Sequence, residues 1–405
     1  MGVAALVACS SSKGTNSNGG SGGGAGSGGA VGGAGGGTVL GTGGTVASGG
    51  TIGSGGATGN PDGSVADIFV DPGTALCPTS GSIMPGTPSN PLPDDVEVLG
   101  AVTSTSSVRF VAASDTAFFW SDQRTIHRVD ASSGTDAIIL DRSTAGNSMQ
   151  GLAVDGDTVY FGEAGIMKAF GVAKIAATGG TATTIVPGNS MWQVTVADGY
   201  VYYYDAGLQE IGRAPVAGGA PQILVRDVNP AGPLAVADGY VYFVHPRTNF
   251  TQANVLRVPI TAMAPPSTSP DVLLMPVGAE VVAPGDHFAA DGVAANQTTL
   301  YFDDDNRVMM VPLAGGTATK IYQAPDKPGS FGSTETTRIG FVLPAKGKVY
   351  WTADAGRCSD LMWSSSDGTN VGSRVHGVFA PGGLAANATH LYFLSGGTQL
   401  LRIPL

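Results

Sequence analysis

From about residue 94 onward the chain is written in short apolar runs broken by Gly, Asp, Asn and Pro, the pattern of strands joined by tight turns. An apolar-aromatic-aromatic triplet recurs seven times: Phe118-Phe119-Trp120, Val159-Tyr160-Phe161, Val201-Tyr202-Tyr203, Val241-Tyr242-Phe243, Leu300-Tyr301-Phe302, Val349-Tyr350-Trp351 and Leu391-Tyr392-Phe393. The central residues are spaced by 41, 42, 40, 59, 49 and 42. Eight residues before each stands an apolar residue: Val111, Leu152, Val194, Leu234, Val293, Val342 and Leu384. Between the two marks lie polar segments such as Asp155-Gly156-Asp157, Asp198-Gly199 and Asp238-Gly239, which suit a two-residue hairpin turn. Each unit therefore begins strand A, turn, strand B.

A third apolar stretch follows in most units, as in Ile126-His127-Arg128-Val129, Ile211 to Pro215, Val255 to Pro259 and Leu400 to Pro404. It reads as strand C, ending at proline because proline donates nothing to the ladder. Turns at Gly179-Gly180, Gly218-Gly219, Gly315-Gly316 and Asp367-Gly368 lead to a strand D, as at Ala137 to Leu140, Gln222 to Val225 and Thr319 to Tyr322. Four strands per unit of this length predict an all-β fold, a seven-bladed β-propeller over residues 94–405. Leu405 follows strand C of the seventh unit directly. Its missing outer strand is expected from Asp95-Val96-Glu97-Val98-Leu99, the one strand-like segment ahead of the first unit.

Composition separates this repeat from what precedes it. Residues 10–60 hold 23 of the 63 glycines and a single charged side chain, Lys13. Such a stretch buries too little apolar surface to order itself, so residues 10–66 read as a disordered Gly/Ser/Thr-rich linker and 67–93 as an irregular lead-in. As a coil this tether would reach roughly 40 Å. The first nine residues, Met1-Gly2-Val3-Ala4-Ala5-Leu6-Val7-Ala8-Cys9, end in small residues before a cysteine. They resemble the end of a bacterial lipoprotein signal, in which Leu-x-Ala/Gly-Cys marks cleavage. The resemblance implies Leu6 at minus three, Ala8 at minus one and Cys9 as the lipidated residue. It also implies attachment to the cell envelope, at the outer membrane or cell surface. Too few residues precede Cys9 for a full signal, so the expected start lies upstream.

The balance of 20 Lys+Arg against 31 Asp+Glu, a net charge of -11, argues against nucleic acid as a partner, since a phosphate backbone demands cations. No apolar run approaches the roughly 18 residues of a spanning helix, so the membrane is expected to be reached through lipid alone.

The units resemble the YWTD and NHL-type propellers, whose strands read Leu-Tyr-Trp-Thr-Asp, then Ile-x-Arg, then an Asp-Gly turn. The sixth is nearest, with Val349-Tyr350-Trp351-Thr352-Ala353-Asp354 and Ser366-Asp367-Gly368. The resemblance implies binding of a protein, peptide or glycan, with enzymes in the minority, and a face built from B–C and D–A loops. Candidate residues on that face are Trp192, His245, Arg247, Asp303, Asp304, Asp305 and Arg357. The acidic triplet could offer oxygen ligands to Ca2+, but it lacks a loop-type ligand spacing and reads better as a solvated hairpin tip. The histidines His127, His245, His287, His376 and His390 show no zinc spacing, and no cofactor motif occurs. Arg128, Lys174, Arg213, Arg257 and Arg402 recur at one strand-C position and read as interblade salt bridges.

Cys77 and Cys358 are the remaining cysteines, and an oxidising compartment would invite their pairing. The 17 residues between Cys77 and Asp95 could span about 55 Å. Against pairing, Cys358 belongs to the B–C face and the closing strand is entered from the other. The expectation is a monomeric, non-enzymatic, lipid-anchored binding propeller. The alternative is a propeller lyase or hydrolase with acids and histidines at the channel mouth.

Overall fold

The structure, a computed structural model, describes residues 92–405 except 102–107, 109, 145, 166–169, 189, 247–251, 267–274, 285–291, 325–326, 329–333, 336–337, 355–358, 379–382 and 396–398. The expected lipidation site, linker, most of the lead-in, Cys77, Arg247, Arg357 and Cys358 lie outside the described residues.

Seven four-stranded antiparallel blades form the fold. Blade 1 comprises Phe110–Ala113, Ala117–Ser121, Thr125–Asp130 and Asp136–Asp141, and blade 2 Ser148–Asp155, Thr158–Ala164, Phe170–Ala176 and Thr183–Gly188. Blade 3 comprises Met191–Ala197, Tyr200–Asp205, Glu210–Pro215 and Gln222–Arg226, and blade 4 Ala231–Ala237, Tyr240–Pro246, Ala253–Pro259 and Glu280–Pro284. Blade 5 comprises Val293–Ala295, Thr299–Asp304, Arg307–Pro312 and Thr319–Gln323, and blade 6 Arg338–Ala345, Lys348–Asp354, Ser359–Ser365 and Val371–Val378. In blade 7, Leu384–Ala386, His390–Ser395 and Gln399–Pro404 are completed by Glu97–Ala101. The closing strand pairs antiparallel with strand C, Glu97 opposite Arg402 and Ala101 opposite Gln399. A short hairpin, Lys327–Pro328 with Thr334–Glu335, sits between blades 5 and 6 and had no signature in the repeat.

The inner strands touch their neighbours in order, and strand A of blade 7 touches that of blade 1, so the ring is closed. Alternate strand-B residues face opposite neighbours. Phe118 and Trp120 pack with Tyr392 and Leu394 of blade 7, while Phe119 packs with Leu152 and Phe161 of blade 2. This explains the triplet. Each blade needs a large side chain on both sides, and a strand supplies that only with consecutive bulky residues.

In blades 3, 4 and 6 the A–B turns carry positive φ at both central positions: Asp198 (51°) and Gly199 (76°), Asp238 (47°) and Gly239 (77°), and Lys346 (43°) and Gly347 (74°). That backbone matches the twist of the flanking strands. The residue after each strand C then donates its N–H across to the same turn: Ala131 to Thr116, Ala177 to Asp157, Val216 to Gly199, Ile260 to Gly239, Leu313 to Thr298, Ser366 to Gly347 and Leu405 to Thr389. The A–B and C–D turns therefore share one face in all seven blades.

The strand-C cations correct an expectation. They do not bridge blades as salt bridges. Lys174 Nζ donates to the Val216 carbonyl at 2.7 Å, Arg257 Nη1 to that of Leu313 at 2.7 Å and Arg402 Nη1 to that of Ala131, each in the C–D turn of the next blade. Arg213 lies 4.2 Å over the Tyr200 ring and holds Gln222, which reaches the Ala262 carbonyl at 2.6 Å. The ion pairs of these strand-C cations stay inside a blade, as Arg257 with Glu280 at 2.8 Å, Arg402 with Glu97 at 2.6 Å and Arg128 with Asp130 at 3.1 Å. The neighbouring turn offers a carbonyl, and a charged donor on a neutral acceptor needs no second buried charge.

Candidate functional site: the B–C and D–A loop face

Loop-to-loop bonds define the other face. Met149 N donates to the Gln123 carbonyl, Ala206 N to Ser190, Val228 N to Gln209 and Ile339 N to Asp305, joining D–A connections to B–C turns. Inner strands are bulged close to this face in blades 2, 3, 4 and 6, where the A–B register slips after Met149, Trp192, Ala231 and Gly340. Gln193 and Phe341 occupy corresponding places in two of these bulges with φ of 54° and 49°. A bulge re-aims side chains at the rim of a sheet.

A second repeat emerges here. Three residues after the central aromatic stand Asp122, Glu163, Asp205, His245 and Asp304 in blades 1 to 5. They end strand B or begin the turn after it, and most serve that turn. Asp122 Oδ1 accepts the Arg124 and Thr125 N–H groups, each at 2.7 Å. Asp205 Oδ1 accepts those of Gly207 at 2.9 Å and Leu208 at 3.1 Å. Asp304 is ion-paired with Arg307. Glu163 accepts from Arg142 Nε at 3.2 Å and from Asn147 Nδ2. This spacing was legible in the sequence and points to Glu163, which motif matching does not find.

Of the residues expected on the face, Trp192 is half-buried, its ring against the core between blades 3 and 4 and its Nε1 donating to Ser190 Oγ at 3.0 Å. His245 is 2% exposed and meets the Phe243 ring edge-on. The acidic triplet is not the solvated tip expected of it. Asp303 is 1% exposed, its Oδ1 accepting the Gly292 N–H at 2.7 Å, so it pins the loop entering blade 5. Asp305 takes the left-handed φ of 62° that the tight turn requires. Among the described residues no group of three His, Cys, Asp or Glu is placed to hold a metal ion. His127 stacks on Trp120 at 3.7 Å and lies within 3.1 Å of both Asp136 and Thr125, so both ring nitrogens have partners inside blade 1.

Electrostatically the face holds two perturbed acids. Burial pushes the Glu163 carboxyl up, opposed by Arg142 and Asn147. Burial also raises Glu210, with Arg226 at 2.7 Å opposing and Asp205 reinforcing the rise. Acids raised in the native state bind protons more readily there than unfolded. Stability therefore grows as pH falls through their native values and stops growing below the ordinary value of 4.5. The expected result is that Glu163→Gln and Glu210→Gln each flatten this part of the profile, read from melting temperatures between neutral pH and the carboxylate range. An unchanged slope in both would show that neither acid is held above its ordinary value.

No family model matches the chain, and a search of curated proteins returns no match. Solved structures do match. A puromycin-hydrolysing peptidase of Mycobacterium tuberculosis aligns with a TM-score of 0.53 at 14% identity, over 76% of this chain and 54% of that one, so the chain spans about half the peptidase. An oligogalacturonate lyase solved with manganese gives 0.48 at 12% identity, over 68% and 83%. A nidogen/laminin complex gives 0.45 at 14%, over 64% and 93%. Identities this low speak to the propeller fold alone.

Proposed function

We propose that this chain is a lipid-anchored, cell-envelope β-propeller that binds a protein, peptide or glycan through its B–C and D–A loop face and performs no catalysis of its own. The observation that carries this reading is the employment of acids on that face. Asp122 and Asp205 cap turns, Asp303 pins a loop, and Glu163, Glu210 and Asp304 are ion-paired. These are supports for loop geometry, and a rigidly held loop face suits recognition. The second reading, a lyase or hydrolase, draws on the raised Glu163 and Glu210, since a raised carboxyl suits a general acid.

The test of the anchor is Cys9→Ser behind a complete signal segment. It is expected to move the protein from the membrane to the soluble fraction, because stable anchoring needs more than one acyl chain and this change removes them together. Unchanged fractionation, without acyl label on the unsubstituted protein, would end the lipoprotein reading. Turnover abolished by Glu163→Gln or Glu210→Gln would favour the enzyme.

A further inference from the structure

Arg124 and Arg142 close the loop-face end of blade 1. The ladder that pairs Thr125 with Asp141 continues one step further, where Arg142 N donates to the Arg124 carbonyl at 2.8 Å. The two arginines are therefore direct cross-strand neighbours, and such neighbours put their side chains on one side of the sheet. That side faces blade 2. Ile126 and Leu140, two residues inward on each strand, pack in the core the two blades share, and Arg142 Nε donates to Glu163 of blade 2 at 3.2 Å. Like charges placed directly opposite are destabilising, so this pair costs stability in the free protein.

Glu163 engages Arg142 through Nε alone, which orients the guanidinium; among the described residues neither of its Nη nitrogens has a partner, and the side chain is about one-third exposed. Arg124 is exposed, and its one side-chain bond, from Nη1 to the Ser143 carbonyl, is long at 3.5 Å. The flanking acids are turned to backbone instead. Asp122 Oδ1 accepts the N–H groups of Arg124 and Thr125, and Asp141 Oδ1 that of Ser143, each at 2.7 Å. By contrast, Arg226 and Arg307 on the same face each hold an acid, Glu210 and Asp304. One acceptor in the seam also lacks a donor. Asn147 is buried, its Nδ2 given to Glu163 and its Oδ1 without a partner. Buried acceptors are as a rule paired, and a ligand N–H reaching into the seam would satisfy this one.

An oriented guanidinium with its Nη fork open, and a second guanidinium beside it, match the two oxygens of a carboxylate. Charge limits the occupant to one such group. The whole chain carries -11, and Asp122 and Asp141 flank the pair, so a ligand of repeated negative charge is repelled. A peptide offers a single carboxylate amid neutral backbone, with N–H groups suited to the Asn147 acceptor. We propose that Arg124 and Arg142, at the seam of blades 1 and 2, seat an isolated carboxylate of a peptide ligand, at its chain terminus or on an Asp or Glu side chain. The proposal rests on the binding reading above and narrows it to a peptide held at one seam.

The probe is an array of neutral peptides printed with a free C-terminal carboxylate, with an amidated terminus, or amidated with one internal Glu, offered to the full chain carrying Cys9→Ser. Binding is expected in a carboxylate series and absent from the neutral amidated one, and the series that binds identifies the source of the carboxylate. By fluorescence anisotropy, soluble copies of the binders should lose affinity roughly tenfold with Arg124→Gln and with Arg142→Gln, since each removes hydrogen bonds between charged groups. Affinity should also fall with added salt. Arg142→Lys should recover little, because an ammonium lacks the fork. Arg124→Gln should melt no lower than the unsubstituted chain, which separates loss of the seat from loss of the fold. Lys346→Asn removes an exposed cation from an A–B turn on the opposite face and should leave binding unchanged. If the peptides bind both arginine variants undiminished but are lost with Arg226→Gln, this seat is wrong and the loop-face reading stands. If they respond only to Lys346→Asn, both fall. Equal binding to all three series, or to none, overturns the peptide seat; binding of a uronic-acid oligosaccharide panel by a chain that ignores every peptide would then leave the loop face as a glycan reader.

Discussion

Deleting residues 94–101 is expected to abolish the cooperative melt of the propeller or to lower its midpoint drastically. The lost segment pairs along strand C of blade 7, buries Val96 between blades 6 and 7 and packs Leu99 against the seam with blade 1. It also strips Arg402 of Glu97 and Arg374 of Asp95. Burying Val96 fully and Leu99 in part contributes roughly 2–4 kcal/mol and each ladder hydrogen bond about 1 kcal/mol. The total approaches the whole stability of a typical domain, about 5–15 kcal/mol. The strand left behind would expose an unpaired edge, a template for aggregation. Differential scanning calorimetry with size-exclusion chromatography measures both effects. A synthetic peptide of residues 94–101 should restore part of the lost midpoint, whereas deletion of residues 10–60 should leave it where it was. A closing-strand deletion that melts within a degree or two of the intact protein would refute closure as the source of stability.

Gly162→Ala should destabilise the propeller strongly for the addition of a single methyl group. A Cβ on Gly162 would stand 2.4 Å from the Met191 carbonyl oxygen and 3.0 Å from Val194 Cγ2. The neighbouring Gly151 faces the Val194 N–H at 2.6 Å in the same way. Blades 2 and 3 thus meet backbone to backbone at the inner ring, where neither can retreat without moving its own sheet. Overpacking at such a contact costs about 3 kcal/mol. The control is Gly156→Ala in an A–B turn, at φ 54° with nothing within 4 Å of its Cβ. It should lose about 1 kcal/mol from backbone strain alone. Urea melts of the two variants decide the matter, and equal losses would mean that the inner contact is soft.

Much of the architecture was legible because its determinants are local. The apolar mark and the central aromatic are eight residues apart, strands A and B form one hairpin, and Asp198-Gly199 or Asp238-Gly239 need only their own backbone to turn. Closure too was readable, since a last blade lacking an outer strand and a first segment lacking a blade can satisfy only each other. The short hairpin around Lys327 and Thr334 was not, because two-residue strands carry no usable period.

The face is a different matter. Asp303 and Asp304 are polar in any sequence reading, and their spacing suggests a solvated tip; the fold buries both, giving one the Gly292 N–H and the other Arg307. Whether a carboxylate is free for a ligand depends on which donors reach it, and those arrive from other parts of the chain. Arg142 comes to Glu163 across 21 positions and Arg226 to Glu210 across 16. The same holds for the strand-C cations, whose acceptors lie in the next blade, 42 residues away for Lys174 and 271 for Arg402. By itself the sequence determined the number of blades, their strand order and the strand that closes them, since hydrophobic period and turn chemistry act over a few residues. Only the tertiary structure decided which polar groups are spent on loop geometry and that Arg124 and Arg142 stand opposite each other beside Glu163, because burial and hydrogen-bond pairing are properties of surfaces brought together after the chain has closed.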